Sequence, residues 1–263
     1  MPFAFARRAV LAIVTSVTLA AAPALAQDDA PVVAAASDLQ FAVKEIAEAF
    51  KTETGKEVKL AFGSTGNFAR QIREGAPFQM FMAADEKFVK QLAADGFTRD
   101  EGALYAEGRV VVMVPHGSAL KPDEAMDNLA AMLDAGTITR FAIANPEHAP
   151  YGLRAQEALQ HRGLWDKIQP HLVLGENVSQ TAQFALSGNA EGGIIAYSLA
   201  LAPEVKVQGE FALIPADWHD PLLQRMVLLK NAGPVAEAFY AYMSTPAARA
   251  IMERYGFVLP KAE

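Results

Sequence analysis

Short apolar runs alternate with longer amphipathic segments along most of the chain. Val32–Ala36, Val58–Phe62 and Met80–Ala84 are each followed by a segment whose apolar residues recur at helical spacing. Gly55 and Gly75 supply helix ends after the first two of these segments. A strand followed by a helix, three times in succession, predicts a parallel sheet covered by helices.

The same pattern begins again at Arg109–Pro115, which is the strongest candidate for a buried strand. Further strand-like runs lie at 141–145, 171–175, 192–197 and 225–230. The first two of these precede helical segments from about Tyr151 and Ser179, and two closing helices follow the last. We therefore predict an α/β fold of two lobes, each a mostly parallel sheet flanked by helices.

The two lobes are not separated by a Gly/Ser-rich or Pro-rich linker. We place the first lobe at 27–109 and 228–263 and the second at 110–227. Ordered segments near residues 105–115 and 218–230 are expected to join them.

Residues 1–26 have the pattern of a secretory signal peptide. Arg7 and Arg8 precede an apolar stretch that closes on the small-residue sequence A-L-A. The apolar run at 9–22 is shorter than the roughly 20 residues that span a bilayer. We therefore expect export and cleavage after Ala26 rather than a membrane anchor.

Composition and charge narrow the range of partners. The chain has no cysteine, and so no disulfide, thiol nucleophile or lipid-attachment cysteine. Removing residues 1–26 takes away two arginines and no acid, which changes the formal charge from −7 to −9. This balance argues against nucleic acid or an anionic membrane surface as the partner. No later apolar segment is long enough to span a membrane, so membrane insertion is not expected.

Four predicted strand-to-helix junctions are rich in small and hydroxyl residues. They read A-A-S-D at 35–38, G-S-T-G-N at 63–67, N-P-E-H-A-P-Y-G at 145–152 and E-N-V-S-Q at 176–180. In an open parallel sheet such junctions lie at the carboxyl ends of the strands, where ligands bind. Helix N-termini also offer unpaired N–H groups and a partial positive charge, so the four junctions together favour a shared anion site.

Each junction taken alone is equally typical of an ordinary helix N-cap. The capping residues would then be Ser37 or Asp38 in the first junction, Asn67 in the second and Ser179 in the fourth. The alternative stays open for any single loop.

Other chemistries fit the loops less well. Gly63 and Gly66 are separated by two residues and lack the lysine of a nucleotide P-loop, and there is no GxSxG motif. The five histidines show no tight metal-ligand spacing. A secreted phosphate or sulfate ester hydrolase with Ser37 or Thr65 as nucleophile remains an alternative, although these loops contain no evident base.

The motifs, taken in order, resemble those of the periplasmic molybdate-binding proteins of ABC transporters. They are A-A-A-S-D-L, F-G-S-T-G-N-F-A-R-Q-I, E-G-A-P-F-Q-M-F-M-A-A-D-E-K, N-P-E-H-A-P-Y-G, G-E-N-V and the terminal R-Y-G-F. They span essentially the whole chain after residue 26. The resemblance implies a protein that is not an enzyme and has the type II periplasmic-binding-protein fold, whose two lobes close on a tetrahedral molybdate or tungstate dianion in the interlobe cleft.

The resemblance also implies which residues bind the anion. Ser37 matches a serine in the first loop, and Thr65, beside Ser64, matches a hydroxyl in the second. Tyr151 stands where the third loop contributes, and Val178 where a valine offers its backbone N–H. Such a site holds the anion through hydroxyls and amides, with no cofactor and no direct ligand to the metal.

Two positions depart from the family's pattern. Some members use a tyrosine hydroxyl from a G-I-[IV]-x segment, but here Ala196 falls at that position and Tyr197 is displaced by one. Asp38 also departs, because a carboxylate beside a dianion repels it unless one of the two is protonated. We predict that Asp38 caps the helix that follows it and does not touch the anion.

The partners implied are the small oxyanion and the membrane permease of an ABC transporter, with the chain acting as a monomer in the periplasm. Alternatives of the same class are a receptor for sulfate, phosphate or a metal–anion pair. A binding module that signals rather than transports is a further possibility.

Overall fold

The computed structural model describes Met1 and residues 30–261. Apart from Met1, the predicted signal peptide with its cleavage site lies outside the described residues. The strands are β1 (Val32–Ala36), β2 (Lys59–Gly63), β3 (Phe78–Ala83), β4 (Ala103–Gly108), β5 (Val110–Pro115), β6 (Phe141–Ala144), β7 (Leu172–Gly175), β8 (Gly192–Ala196), β9 (Gly209–Leu213) and β10 (Leu222–Leu228).

Helices connect most of these strands. They are α1 (Gln40–Thr54), α2 (Thr65–Arg73), α3 (Glu86–Ala94), α4 (Asp127–Asp134), α5 (Pro150–His161), α6 (Trp165–Ile168), α7 (Val178–Leu186), α8 (Tyr197–Leu201), α9 (Pro203–Lys206), α10 (Pro234–Tyr242) and α11 (Pro246–Arg254), with 3-10 turns at Ser37–Leu39, Gln169–His171 and Ala216–Trp218. The predicted helix ends at Gly55 and Gly75 are confirmed. Both glycines adopt left-handed φ angles, 70° and 87°, which glycine reaches without steric cost.

The strands form two five-stranded sheets of matching design. The first has the order β2-β1-β3-β10-β4, with β1 parallel to both neighbours and β10 antiparallel to both of its own. The second has the order β7-β6-β8-β5-β9, with β5 in the place of β10. Each sheet therefore contains a single strand that runs against the rest, which confirms two mostly parallel lobes.

The antiparallel strand of each sheet is the one that enters from the other lobe. Only Arg109 separates β4 in the first sheet from β5 in the second, and the chain returns between β9 and β10. The predicted boundary that assigned 110–227 to the second lobe therefore falls too late at its end. Strand β10 pairs with β3 and β4, so the chain is back in the first sheet from Leu222 onward.

Apolar side chains cover both faces of the first sheet. Val33 and Met80 lie in one buried cluster and Ala34 and Phe81 in another, as the alternation of side chains along a strand requires. Such burial on both faces is typical of a sheet with helices on either side. Within residues 30–261, no helix is both long and apolar enough to cross a membrane.

Candidate functional site

A small cavity lies between the lobes, where the carboxyl ends of β1 and β2 face those of β6 and β7. Five predicted anion-binding residues line it, namely Ser37, Ser64, Thr65, Tyr151 and Val178, together with Asp38, which was predicted not to touch the anion. Its volume is about 10 Å³, close to the space that a single water molecule needs. The two lobes therefore leave little free space between these residues.

Two buried hydroxyls at the cavity each accept a hydrogen bond from a backbone N–H, so their own O–H groups are not used in these bonds. Ser37 Oγ accepts from the N–H of Ser179 at 3.3 Å, and Thr65 Oγ1 accepts from the N–H of Ala84 at 3.0 Å. A hydroxyl that is held as an acceptor in this way can still donate its proton. The hydroxyl protons of both side chains are therefore not used in these two bonds and are available for donation.

Three helices begin at the cavity. Thr65 is the first residue of α2, Tyr151 the second of α5 and Val178 the first of α7. The first N–H groups of a helix have no partner within that helix, and the helix dipole places a partial positive charge at this end. The cavity thus offers backbone donors from both lobes to one anion.

Ser64 lines the cavity and contacts the second lobe. Its Oγ accepts from the N–H of Asn67 at 3.3 Å, which makes Ser64 the N-cap of α2, and lies 2.9 Å from Nδ1 of His148 in the second lobe. The prediction that Asn67 caps this helix was wrong. Its side-chain amide instead donates across the cleft to Glu176, at 2.5 Å.

Asp38 does not cap a helix, and this prediction was also wrong. No side chain caps α1 or the 3-10 turn before it. The carboxylate Oδ2 accepts from the hydroxyl of Tyr151 at 3.0 Å and from the side-chain amide of Gln224 at 2.7 Å. Both donors are distant from Asp38 in the chain. The carboxylate therefore makes these long-range contacts and does not cap the start of α1.

The environment of Asp38 alters the acidity of the buried groups around it. Burial raises the pKa of its carboxyl from 3.8 to about 6, and the hydrogen bonds from Gln224 and Tyr151 oppose this rise only in part. Burial and then the charge of Asp38 raise the pKa of the Tyr151 phenol well above its ordinary value. Tyr151 is therefore a neutral hydroxyl that can donate at any physiological pH.

The helix that begins at Val178 is capped by Asn177 rather than by Ser179. Asn177 Oδ1 accepts from the backbone N–H groups of Ser179 and Gln180, at 3.0 Å each. The hydroxyl of Ser179 turns to the first lobe and donates to Gln40 Oε1 at 2.5 Å. The capping alternative therefore named the wrong residue at this junction.

Tyr197 is not brought to the cavity. It is the first residue of α8, its backbone N–H donates to the carbonyl of Arg109, and its ring packs edge-on against Phe211 with the centroids 5.7 Å apart. The cavity is thus lined without a contribution from this segment.

Sequence reasoning missed two buried polar residues behind the cavity. Gln224 is fully buried in β10, where it contacts Asp38 and Tyr151, and Tyr105 in β4 donates to its side-chain oxygen at 2.8 Å. A glutamine inside the apolar run L-L-Q-R-M-V-L-L is a signal that could have identified the first. Tyr105 lies in a strand that the apolar pattern did not predict.

No cationic side chain lines the cavity, and within residues 30–261 no cluster of His, Asp and Glu is suited to a metal ion. Apart from the carboxyl of Asp38, the polar groups that the cavity offers an anion are neutral hydroxyls and backbone amides. A hydrogen bond to a charged group is worth about 1.5–3 kcal/mol, so several such donors can offset the loss of the anion's hydration.

Comparison with known proteins agrees with this geometry. Residues 31–258 match the family model of the bacterial extracellular solute-binding proteins. The chain is 35% identical to the molybdate-binding protein ModA of Rhodobacter capsulatus, over 86% of this chain and 87% of that one. It is likewise 35% identical to the ModA protein of Escherichia coli K12, over 90% and 91% of the two chains.

A solved structure of a molybdate-binding protein has the same fold. The periplasmic molybdate-binding protein of Azotobacter vinelandii superimposes with a TM-score of 0.77 at 32% identity, covering 89% of this chain and all of that one. By sequence, fold and lobe arrangement, the chain belongs to the bacterial extracellular solute-binding proteins, among the molybdate-binding proteins of ABC transporters.

Proposed function

We propose that this chain captures molybdate, and tungstate with it, in the periplasm and presents it to the membrane permease of an ABC transporter. The observation that carries the proposal is the small interlobe cavity at which three helix N-termini meet two hydroxyls. The compared relatives that are 32–35% identical to this chain are molybdate-binding proteins. Export by the predicted signal peptide, with cleavage after Ala26, and a monomeric state are parts of the same proposal.

In the bound state, Ser37 and Thr65 would donate their hydroxyl protons, and Tyr151 and Val178 their backbone N–H groups. These four donors at about 1.5–3 kcal/mol each supply on the order of 6–12 kcal/mol before association costs. Micromolar binding needs about −8 kcal/mol. Neutral donors therefore supply much of the free energy needed to hold a dianion in a protein that is itself acidic.

Sulfate, the smaller of the two tetrahedral dianions, is the second candidate. Molybdate has longer bonds to oxygen, so the lobes would have to stand slightly further apart around it. Selection between the anions would rest on this spacing, because their hydrogen-bonding patterns are alike.

A hydrolase fits the geometry poorly. The oxygens of Ser37 and Thr65 contact backbone N–H groups and no base. Ser64 does contact His148, but the nearest carboxylate oxygen, on the largely exposed Glu176, lies 3.8 Å from the other ring nitrogen. That separation is too long for the hydrogen bond that would orient a catalytic histidine. We therefore propose binding without catalysis.

Calorimetric titration of the chain from residue 27 with molybdate, tungstate, sulfate and phosphate tests the proposal. We expect binding of molybdate and tungstate at micromolar or lower concentrations and much weaker binding of the other two. Tight binding of sulfate with none of molybdate would replace the proposal by its alternative. Binding of none of the four anions would contradict both.

A further inference from the structure

Asp38 is the one acidic side chain that lines the cavity, and it is 1% exposed. Its carboxyl faces Tyr151 of α5 and Gln224 of β10, with Tyr105 of β4 behind the glutamine. From α8, the hydroxyl of Ser198 donates to the Asp38 backbone carbonyl at 2.8 Å. The two tyrosines are the titratable groups around it, and burial raises the pKa of both phenols well above the ordinary value.

The two oxygens of this carboxyl are in different situations. Oδ2 accepts two hydrogen bonds, from Tyr151 Oη and Gln224 Nε2. Oδ1 is buried and has no hydrogen-bond partner in the described part of the chain. Because Oδ2 already receives two donors, an added proton is best placed on Oδ1, where it can be donated onward.

An ionised Asp38 would meet a dianion in the cavity with a charge that nothing compensates. No cationic side chain contacts the carboxyl in the structure described. Burial, opposed in part by the hydrogen bonds, already raises the pKa of the carboxyl to about 6, and a neighbouring dianion raises it further, since like charges disfavour ionisation. Anion and proton therefore bind this site together.

We propose that Asp38 binds the oxyanion as a neutral carboxylic acid that donates from Oδ1, so that capture takes up one proton from solvent for each anion. This inference rests on the proposed function, because it concerns the same cavity. The proton moves from the buffer to Oδ1, and no covalent bond of the anion changes. The role of Asp38 is thus the opposite of the repulsion expected from its charged form.

The proposal fixes the sign and size of the pH dependence. At a pH below the pKa of the free protein's carboxyl, Asp38 already carries the proton and the affinity is flat. At higher pH the proton must be taken up, and the affinity falls roughly tenfold for each pH unit. The decrease begins near pH 6, where burial places the pKa.

Calorimetric titration with molybdate at about pH 7.5, in two buffers that differ in ionisation enthalpy, counts the protons directly. We expect close to one proton taken up per anion by the wild-type protein. Asp38→Asn offers an amide N–H in place of the acid and has no proton to gain, so its count should be near zero and its affinity independent of pH. Glu147→Gln, an exposed change in the loop that precedes α5, is the matched control and should behave as wild type.

Each result has a distinct meaning. Molybdate binding by the wild type without proton uptake, at an affinity constant from pH 6 to 8, would overturn the role of Asp38 and leave the proposed function intact. Proton uptake that persists in Asp38→Asn would overturn it as well, because the proton would then go elsewhere. No molybdate binding at any pH would overturn the proposed function itself. The wild-type proton count needs no variant, so a misfolded mutant does not remove the test.

Discussion

At the scale of single residues, the hydroxyls at the cavity combine a structural and a binding role. Ser37 Oγ accepts from the N–H of Ser179, but this N–H has a second acceptor in Asn177. Loss of the hydroxyl therefore leaves no buried donor unpaired. We therefore expect the side chain to matter more for the proposed anion binding than for the fold.

Ser37→Ala should accordingly weaken molybdate binding with little change in the free energy of unfolding. The loss of one hydrogen bond to a charged group, about 1.5–3 kcal/mol, corresponds to roughly 10- to 150-fold in affinity. Titration calorimetry and denaturant unfolding measure the two quantities. Ser187→Ala, at the far end of α7, is the control and should change neither. Equal affinity of wild type and Ser37→Ala would remove Ser37 from the site.

Asp38 should make the anion-free protein less stable as the pH rises. Its pKa is raised on folding, from 3.8 to about 6, so the folded state binds the proton more tightly than the unfolded state does. Stability is therefore lost between these two pH values, by up to about 3 kcal/mol. Asp38→Asn lacks this loss. Denaturant unfolding from pH 4 to 8 measures this. The free energy of unfolding of Asp38→Asn, relative to that of the wild type, should rise up to about pH 6 and stay constant above it. A difference that does not depend on pH would contradict the raised pKa.

Single residues also mark the limit of sequence reasoning. The loops that hold Ser37, Thr65 and Tyr151 were identified because small and hydroxyl residues follow apolar runs. The partners of Asp38 and Asn67 were not identified, since both side chains reach across the cleft to residues distant in the chain. Local capping rules weigh only neighbours in sequence, and here the long-range contact prevails.

At the scale of the elements, continuous apolar runs predicted the buried strands well. The two strands that were missed, β4 and β9, each lie at one edge of their sheet and carry mixed polar and apolar residues. Strands β2 and β7 at the opposite edges were predicted because their sequences are mostly apolar, so the mixed pattern is what hid β4 and β9. The late boundary at residue 228 has a similar origin, because sequence alone does not show with which sheet β10 pairs.

Helix α2 approaches the second lobe at Gly66. Its N–H donates to the carbonyl of His148 at 2.9 Å, and a Cβ at this position would lie 2.7 Å from the same oxygen. The Cβ is fixed to the backbone of α2, and the oxygen belongs to the backbone of the second lobe. Neither can turn away, so the lobes would have to separate. The glycine is needed for close approach, not for an unusual φ angle.

Gly66→Ala should therefore weaken anion binding without lowering the stability of the fold. Alanine is favoured over glycine within a helix by about 1 kcal/mol, so thermal unfolding should be unchanged or occur at a higher temperature. Gly233→Ala, where a Cβ meets only an ordinary contact at 3.5 Å, is the matched control and should bind as wild type. Normal molybdate affinity in Gly66→Ala would show that the contact with His148 is not needed for binding.

At the scale of the whole molecule, the fold places one anion site where two similar lobes meet. The chain crosses between the sheets twice, after β4 and after β9, and the two crossings allow the lobes to close on each other. Polar contacts then bridge the cleft, among them the nearly buried ion pair of Arg154 and Asp85 at 3.3 Å. In the proposed site, each lobe contributes half of the donors.

The position of the anion tests this account most directly. A crystal of the molybdate complex, with diffraction recorded at the molybdenum absorption edge, locates the metal without assumptions about the fold. We predict a single anomalous peak in the interlobe cavity, with anion oxygens within hydrogen-bonding distance of Ser37 Oγ, Thr65 Oγ1 and the Val178 N–H. A peak elsewhere on the protein, or none at saturating molybdate, would contradict the central claim.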